Sequence, residues 1–346
     1  MLLAALALSC QREERAVQSA YVTPLWPAVA AGRWGFVDAA GKVAIPCSYR
    51  AVEQFAEGRA AVFTDTTWGF IDTTGAMILP PRFHRVNPFA NGRARVQTVE
   101  NPYGFCFIDR KGNIMIPVDT NRQEERDFAS SRAAIKTAGK YGYLDPFGRV
   151  VIPAQLSAGG KFHDGLAPAR LEDRWGLIDT TGTWVVAAQY SWIESPREGV
   201  ARAQIAESGK PIWCLVDAHG QLVARLAGFS EVGPMAQGRA RVKRDNKWGY
   251  VDAQGKLVIE PRYAGALSFS EGLAAVQEGP DGTWAYIDRK GKTVIPATFG
   301  MADQFRGALA AVQQADRWGY VDKTGKYIWQ SGKGELSLPP GLGEEK

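Results

Sequence analysis

Nine aspartates recur along the chain at almost constant spacing, and a carboxylate can act as a general acid or base or bind a metal ion. A catalytic carboxylate is needed once or twice, in a cleft, beside a partner that shifts its pKa. Nine copies in equivalent settings therefore predict a role in the scaffold. The nine are Asp38, Asp72, Asp109, Asp145, Asp179, Asp217, Asp252, Asp288 and Asp322.

Calcium binding at these aspartates is not favoured either. A Ca²⁺ ion takes about six to eight oxygen ligands, usually from several carboxylates. A segment such as Asp38-Ala-Ala-Gly or Asp72-Thr-Thr-Gly offers a single carboxylate. We expect no metal site at the repeated aspartates.

The remaining reactive side chains form no recognisable catalytic or cofactor motif. His84, His163 and His219 lie far apart, none in a nucleophile-elbow context, which favours surface or packed histidines over a catalytic triad. The segment 158–161, Ala-Gly-Gly-Lys, lacks the spacing of a phosphate-binding loop. No Cys-x-x-Cys pair is present, so a structural zinc site has no support. The sequence predicts no catalytic, cofactor-binding or metal-binding residues and no cofactor.

The amino-terminal residues suggest export. Residues 2–9 are apolar but too few to span a bilayer, which takes about 20 helical residues, although they can serve as the apolar part of a secretory signal. The string Ala7-Leu8-Ser9-Cys10 resembles a bacterial lipobox, with Ala where Leu is usual. This predicts lipidation at Cys10 and an exported periplasmic or outer-membrane lipoprotein. The basic segment of such a signal is not visible, which predicts a natural start upstream of Met1, and a cytoplasmic location follows if the run is not a signal.

Charge argues against a nucleic-acid partner. The formal net charge is +5 and no run of five like charges occurs. Arginine recurs in the first strand of many units, as at Arg59, Arg93, Arg132 and Arg239, and we interpret these residues as solvated strand positions rather than a phosphate-binding stripe. Membrane contact is expected only through a lipid anchor.

The cysteines other than Cys10 do not form a disulfide framework. Cys47, Cys106 and Cys214 allow one bridge at most. Cys106 and Cys214 fall within apolar strand segments, which predicts small buried side chains.

The aspartates belong to a longer repeated phrase, in which an aromatic residue, usually Trp-Gly, precedes two largely apolar residues and Asp-x-x-Gly. The steps between the aspartates run from 34 to 38 residues, a period that predicts an array of units packed on their neighbours. The aromatic positions are assigned to Trp34, Trp68, Tyr103, Tyr141, Trp175, Trp213, Trp248, Trp284 and Trp318.

Each unit reads as three antiparallel strands in a meander. Around Trp248, residues 239–243 and 247–252 alternate in polarity, and residues 256–259 precede Pro261, with turn residues between the runs. The Asp side chain is expected to accept backbone N–H groups and the Gly to supply a positive φ at the second turn. We expect the Pro to end the third strand, the Trp to be buried, and a phenylalanine beyond, such as Phe55, to plug the interface between units.

These residues resemble the WG-repeat family, also called KWG, of mostly bacterial proteins. The resemblance covers about residues 26–330 and rests on Trp-Gly-aromatic-Ile/Val-Asp-x-x-Gly, then Ile-Pro-x-x-Tyr/Phe, then Phe-x-Glu-Gly. In this assignment Tyr103 and Tyr141 replace Trp, while Cys214 and Ala285 replace Gly. The resemblance implies an all-β repeat of variable copy number with no common enzymatic activity.

The predicted fold is therefore an all-β array of nine three-stranded meanders of ~35 residues. We divide the chain into a signal segment and linker at 1–20, the array at 21–330 and a disordered tail at 331–346. Variable copy number and a count above the roughly four to eight blades of known propellers favour an open solenoid or superhelix over a closed β-propeller.

Function is predicted by elimination. The first hypothesis is a non-enzymatic binding or scaffold protein of the bacterial cell envelope that presents its repeat surface to a protein partner. The alternative is a carbohydrate- or peptidoglycan-binding module that uses exposed aromatic residues and Arg. The third is an enzyme with its site in an atypical repeat, at residues 119–127, where Arg122, Glu124, Glu125 and Arg126 cluster.

Overall fold

Every described element of the chain is a β-strand. The computed structural model describes residues 24–207, 209–278 and 282–334. Runs of alternating polarity form the strands, and Gly-containing turns at positive φ separate them. The prediction of an all-β array of nine repeats is confirmed.

Three longer strands form the meander of each repeat. The first strands are β1 (Trp26–Ala30), β5 (Arg59–Phe63), β8 (Ala94–Thr98), β12 (Ala133–Thr137), β16 (Leu166–Leu171), β20 (Val200–Glu207), β24 (Arg239–Arg244), β28 (Leu273–Glu278) and β32 (Ala310–Gln314). The second strands are β2 (Arg33–Val37), β6 (Trp68–Asp72), β9 (Cys106–Ile108), β13 (Lys140–Leu144), β17 (Arg174–Asp179), β21 (Lys210–Asp217), β25 (Lys247–Asp252), β29 (Thr283–Asp288) and β33 (Arg317–Val321). The third strands are β3 (Val43–Tyr49), β7 (Met77–Val86), β10 (Ile114–Ile116), β14 (Val150–Leu156), β18 (Trp184–Tyr190), β22 (Leu222–Arg225), β26 (Leu257–Tyr263), β30 (Thr293–Phe299) and β34 (Tyr327–Gln330).

A short strand that the sequence analysis missed precedes the meander in most repeats. These strands are β4 (Ala51–Val52), β11 (Arg122–Glu125), β15 (Ala158–Gly159), β19 (Trp192–Ile193), β23 (Glu231–Val232), β27 (Gly265–Ala266) and β31 (Met301–Ala302). In the third repeat the end of β7 takes this role, because it pairs with β8. Six of these seven strands have only two residues, which are too few to show a period, so no pattern revealed them.

The third strand arches over the Gly that follows Trp. In the second repeat Trp68 pairs with Phe83, while Phe70 pairs with Leu79. The intervening Pro80 and Pro81 therefore have no pairing partner in the second strand. A Cβ added to the intervening glycine would lie 2.7 Å from the Leu79 carbonyl oxygen, which favours glycine there, although Ala285 occupies the equivalent position of the eighth repeat. The expectation that Pro ends the third strand is wrong, since the strand continues beyond the proline arch.

The core between repeats is built from pairs of aromatic rings. The ring centroids of Phe70 in the second repeat and Phe89 in the third are 5.1 Å apart. Those of Tyr250 and of Phe269 in the next repeat are 4.8 Å apart. The prediction that these phenylalanines fill the interface between repeats is confirmed. The motif Trp side chains are half-buried instead of buried, with Trp318 at 1% exposure as the exception.

The third repeat corrects one motif assignment. Cys106 pairs with Val96 as Gly69 pairs with Val62, so Phe105, not Tyr103, holds the aromatic position. Tyr103 is 96% exposed. The loop after β8 is longer than the loop after β5, and Tyr103 lies within it.

The first and ninth repeats pack against each other. The ring centroids of Trp34 and Trp318 are 6.1 Å apart. The Tyr320 hydroxyl donates a 2.9 Å hydrogen bond to the Pro27 carbonyl. The two ends of the array are in contact, but the described sheets form no closed barrel, in agreement with the prediction of an open array. Among the described strands no pairing joins the first and last sheets, so the two ends meet through side chains and not through a shared sheet.

Candidate functional site

The nine aspartates are turn residues. In each repeat Asp Oδ1 accepts the backbone N–H groups two and four positions later, as in Asp179 with Thr181 and Thr183 at 2.8 and 3.0 Å. The Gly three positions after each Asp donates to the Asp carbonyl with φ between 77° and 91°. The predicted scaffold role of the Asp-x-x-Gly turn is confirmed.

In three of these turns, hydrogen bonds to the carboxylate favour its charged form. The Thr74 hydroxyl lowers the pKa of Asp72, and the Thr181 hydroxyl lowers the pKa of Asp179. The backbone N–H of Lys292 does the same for the pKa of Asp288. A carboxylate stabilised as its anion is a poor proton donor at neutral pH, as expected for a structural group.

The strand arginines join neighbouring repeats. Arg93 Nε donates to the Pro146 carbonyl at 3.2 Å, and Arg132 Nε donates to the Thr180 carbonyl at 2.8 Å. Each contact runs from one repeat to the Asp turn of the next, and both side chains are half-buried. Arg93 and Arg132 are therefore not the solvated strand residues that the sequence predicts.

The histidines lie in three different repeats, and the structure does not bring them together. His163 Nδ1 is 3.2 Å from Asp164 Oδ2, while the His219 backbone donates to its own Asp turn. Among the residues that the structure describes, no group of three or more His, Cys, Asp or Glu side chains could hold a metal ion.

Cys106 and Cys214 are buried thiols, as predicted, and Cys47 is a half-buried thiol. Burial raises the pKa of Cys214 to about 11. In the sixth repeat Cys214 pairs directly with Arg225, and in the third repeat β10 ends at Ile116, which pairs with Phe107, so neither cysteine lies under a proline arch.

The early end of the third strand in repeat 3 leaves a hollow at the seam with repeat 4. Strand β10 stops at Ile116, and the hollow beyond it measures about 420 Å³. Its lining combines the apolar residues Ile116 and Val118 with Phe147, Asp119 and Arg122.

The atypical segment 119–127 forms part of this seam. Arg122 Nε lies 3.2 Å from Asp119 Oδ2, and Asp127 Oδ1 lies 3.1 Å from Arg95 Nε of the preceding repeat. Asp119 Oδ1 also accepts the Asn121 backbone N–H at 3.0 Å. Of the predicted cluster, Arg122, Glu124 and Glu125 lie in strand β11, and Arg126 donates a 3.3 Å hydrogen bond to the Gly159 carbonyl of the next repeat.

Phe147 is the site residue that sequence analysis overlooked. It stands two positions after Asp145, where the other turns carry Ala, Thr, Lys, His or Gln, and its ring is 65% exposed. A large aromatic residue among small and polar ones at equivalent turns was the signal that could have identified it.

A second hollow, of about 250 Å³, lies where the ninth repeat meets the first. Its lining includes Trp26, Phe55, Asp303, Arg306 and Tyr320. Both hollows occur where a repeat departs from the common pattern, one beside the short strand β10 and the other where the two ends of the array meet.

The predicted lipidation residue Cys10 lies outside the described residues, as do the signal segment and most of the predicted tail. No described segment forms a helix with the length and apolarity that crossing a membrane requires.

Several solved structures resemble the chain. One, titled "Crystal structure of the eukaryotic initiation factor", matches with a TM-score of 0.61 and 10% identity, over 89% of this chain and 96% of that one. At this identity the likeness shows the fold alone. NirN, a dihydro-heme d1 dehydrogenase, gives a TM-score of 0.46 at 12% identity, over 89% of this chain and 73% of its own. Hsv2 of Kluyvelomyces marxianus gives 0.40 at 12% identity, over 70% and 93%.

A search of curated protein sequences gives no match. The sequence profile described as "WG containing repeat" matches seven segments that together cover more than half of the chain: 34–65, 68–100, 141–175, 175–207, 213–248, 248–279 and 284–318. The unmatched stretch between the second and third segments contains the second and third strands of the third repeat, whose motif carries Phe105 and Cys106. With its Asp turns, glycine arches and aromatic seams described, the chain belongs to the WG-repeat family.

Proposed function

We propose that this WG-repeat chain is a non-enzymatic scaffold of the bacterial cell envelope that binds a protein partner through one repeated surface position. The supporting observation is a set of exposed aliphatic side chains, each five positions after its Asp. This apolar belt consists of Val43, Met77, Ile114, Val150 and Leu222, exposed by 53, 42, 57, 55 and 49%.

Aliphatic side chains that are exposed to water at the same position of several repeats indicate a surface that binds a partner. Single exposed apolar residues are ordinary on a protein surface, but the belt has an exposed aliphatic residue at the same position in five repeats. All five side chains begin the third strand, directly after the Asp turn. A partner that spans several repeats would cover them together, as ligands of repeat arrays commonly do.

The test compares a belt variant with a matched control. The belt variant carries Val43→Ser, Met77→Ser, Val150→Ser and Leu222→Ser. The control carries Val99→Ser and Leu171→Ser, which are also exposed, by 53 and 47%, but lie at the opposite ends of the strands. Each full chain is immobilised and exposed to a bacterial envelope extract, and retained proteins are purified for direct binding measurements.

A protein that binds the wild type and the control but not the belt variant would support the proposal. Equal binding to the belt variant, or no specific binding to the wild type, would refute it. Circular dichroism and melting temperature verify that all three chains are folded.

Envelope location is tested separately. The motif around Cys10 supports lipid attachment, so a labelled fatty acid should enter the wild-type protein and not Cys10→Ala. Recovery of the unlabelled wild type in the cytoplasmic fraction would contradict the envelope assignment, whatever the result with the belt variant.

A further inference from the structure

We propose that the hollow between the third and fourth repeats is a binding site for a neutral saccharide. This inference is independent of the protein-binding belt, because it rests on a concave site with its own aromatic and polar groups. The hollow is lined by Ile116, Val118, Asp119, Arg122 and Phe147, among other residues.

The size of the hollow suits a small ligand. At about 420 Å³ it falls within the roughly 300–1,000 Å³ typical of small-molecule sites. It exists because strand β10 has three residues, whereas the third strand of the fourth repeat, β14, runs from Val150 to Leu156. The chain then leaves the sheet through Pro117 and Val118, which form one wall of the hollow.

Phe147 supplies an aromatic platform at the edge of the hollow. Its ring is 65% exposed, although its backbone is held firmly by the 2.9 Å hydrogen bond from its N–H to Asp145 Oδ1. The Arg149 guanidinium lies 5.3 Å from the ring centroid and stacks over part of it. The face of an aromatic ring carries partial negative charge, which attracts the weakly positive C–H groups on the apolar face of a pyranose ring.

Asp119 and Arg122 supply the polar groups. Their 3.2 Å ion pair places carboxylate acceptors beside guanidinium donors in one wall of the hollow. A sugar hydroxyl both donates and accepts hydrogen bonds, so adjacent hydroxyls can use both kinds of group at once.

The same ion pair selects for a neutral ligand. The Arg122 side chain is only 12% exposed, and its charge is already balanced by Asp119. An anionic ligand would compete with this carboxylate, whereas a neutral saccharide can hydrogen-bond to the pair without breaking it.

The experiment screens the full chain against an array of neutral and acidic oligosaccharides, followed by titration calorimetry with the oligosaccharides retained. We expect neutral oligosaccharides to bind the wild type. Phe147→Ala should weaken that binding by about tenfold, while Phe147→Tyr, which keeps the ring, should bind within about threefold of the wild type.

Two further variants separate recognition from folding. His219→Ala changes the equivalent turn position in the sixth repeat and should leave saccharide binding unchanged. Asp119→Asn keeps an oxygen acceptor for the Asn121 N–H but removes the negative charge 3.2 Å from Arg122, so preference should shift from neutral towards acidic oligosaccharides.

Failure of the wild type to bind any neutral oligosaccharide would overturn the proposal, as would full binding by Phe147→Ala. Binding of the protein partner should persist in Phe147→Ala, because Phe147 is not part of the belt. The saccharide site and the protein-binding surface can therefore fail independently.

Discussion

Gly41 of the first repeat packs against Ile328 of the ninth, and a Cβ added at Gly41 would collide with the Ile328 carbonyl oxygen. The corresponding glycine of every other repeat faces the repeat before it, as Gly75 faces Ile45 and Gly291 faces Ile259. The two ends of the array therefore contact each other through the same turn position that neighbouring repeats use.

Gly41→Ala should destabilise the chain by about 2–4 kcal/mol, because it combines a strained positive φ with a collision against backbone. The control Gly32→Ala also has a positive φ, of 71°, but meets nothing within 4 Å, and should cost about 1 kcal/mol. Urea unfolding measures both. Equal costs would contradict the packing role of Gly41, and small-angle scattering would show whether the variant extends.

Tyr320→Phe should lower the free energy of unfolding by about 1–2 kcal/mol, because the buried Pro27 carbonyl loses its hydroxyl donor. Tyr143→Phe removes the equivalent 2.8 Å bond to Gly160 between the fourth and fifth repeats. Similar losses in thermal melts would indicate that the end contact is as well formed as an internal seam. A neutral Tyr320→Phe beside a costly Tyr143→Phe would argue for a weak end contact.

Alkaline pH should destabilise the fold through its buried tyrosines. Burial raises the pKa of Tyr320 and Tyr286 well above the ordinary phenol value of 10.0, and the charge of Asp303 raises both further. Because these phenols stay neutral when folded but ionise at pH 10 when unfolded, their contribution to stability is full below pH 10 and falls as the pH rises. Absorbance at 295 nm should show tyrosines that ionise only on unfolding, and complete ionisation of the folded chain near pH 10 would disprove this.

Acid should weaken the Asp turns. The folded pKa of Asp179 lies below its ordinary value, so its stabilising contribution is present above about pH 4 and is lost as the pH falls through the folded pKa. Asp179→Ala should cost about 1 kcal/mol at pH 7, because the N–H groups of Thr181 and Thr183 lose their acceptor. Asp179→Asn, which keeps an oxygen, should cost less. Urea unfolding at pH 7 and pH 3 checks this, since a penalty for Asp179→Asn that persists undiminished at pH 3 would rule out a charge effect.

The turn between the short strand and the meander should also stabilise the contact between neighbouring repeats. Glu198 accepts the backbone N–H groups of Gln237 and Gly238 in the next repeat, each at 2.7 Å. Glu198→Ala should lower the melting temperature by a few degrees, consistent with a loss of about 0.5–1 kcal/mol at an exposed site. Glu198→Gln retains an acceptor and serves as the control. Identical melting temperatures for the two variants would show that these bonds add nothing.

Part of the candidate site was visible in the sequence. The atypical segment 119–127 can be identified from the sequence because its residues break the repeat pattern. Asp119 and Arg122 of this segment line a hollow. Phe147 did not, because a single aromatic residue in a turn has no periodic pattern, and its place beside Asp119 depends on how the third and fourth repeats pack. The short strands and the Phe105 assignment were missed for a related reason, since strand pairing and not residue type defines both.

Residue types at regular spacing determined the strands, the Asp-x-x-Gly turns and the number of repeats, because each of these features depends on neighbours within a few positions. Only the tertiary structure decided that the first repeat meets the ninth, and that hollows remain where the third strand is short or the chain ends meet. The physical reason is that closure depends on small rotations between successive repeats, which add up over the whole array and are specified by no single repeat.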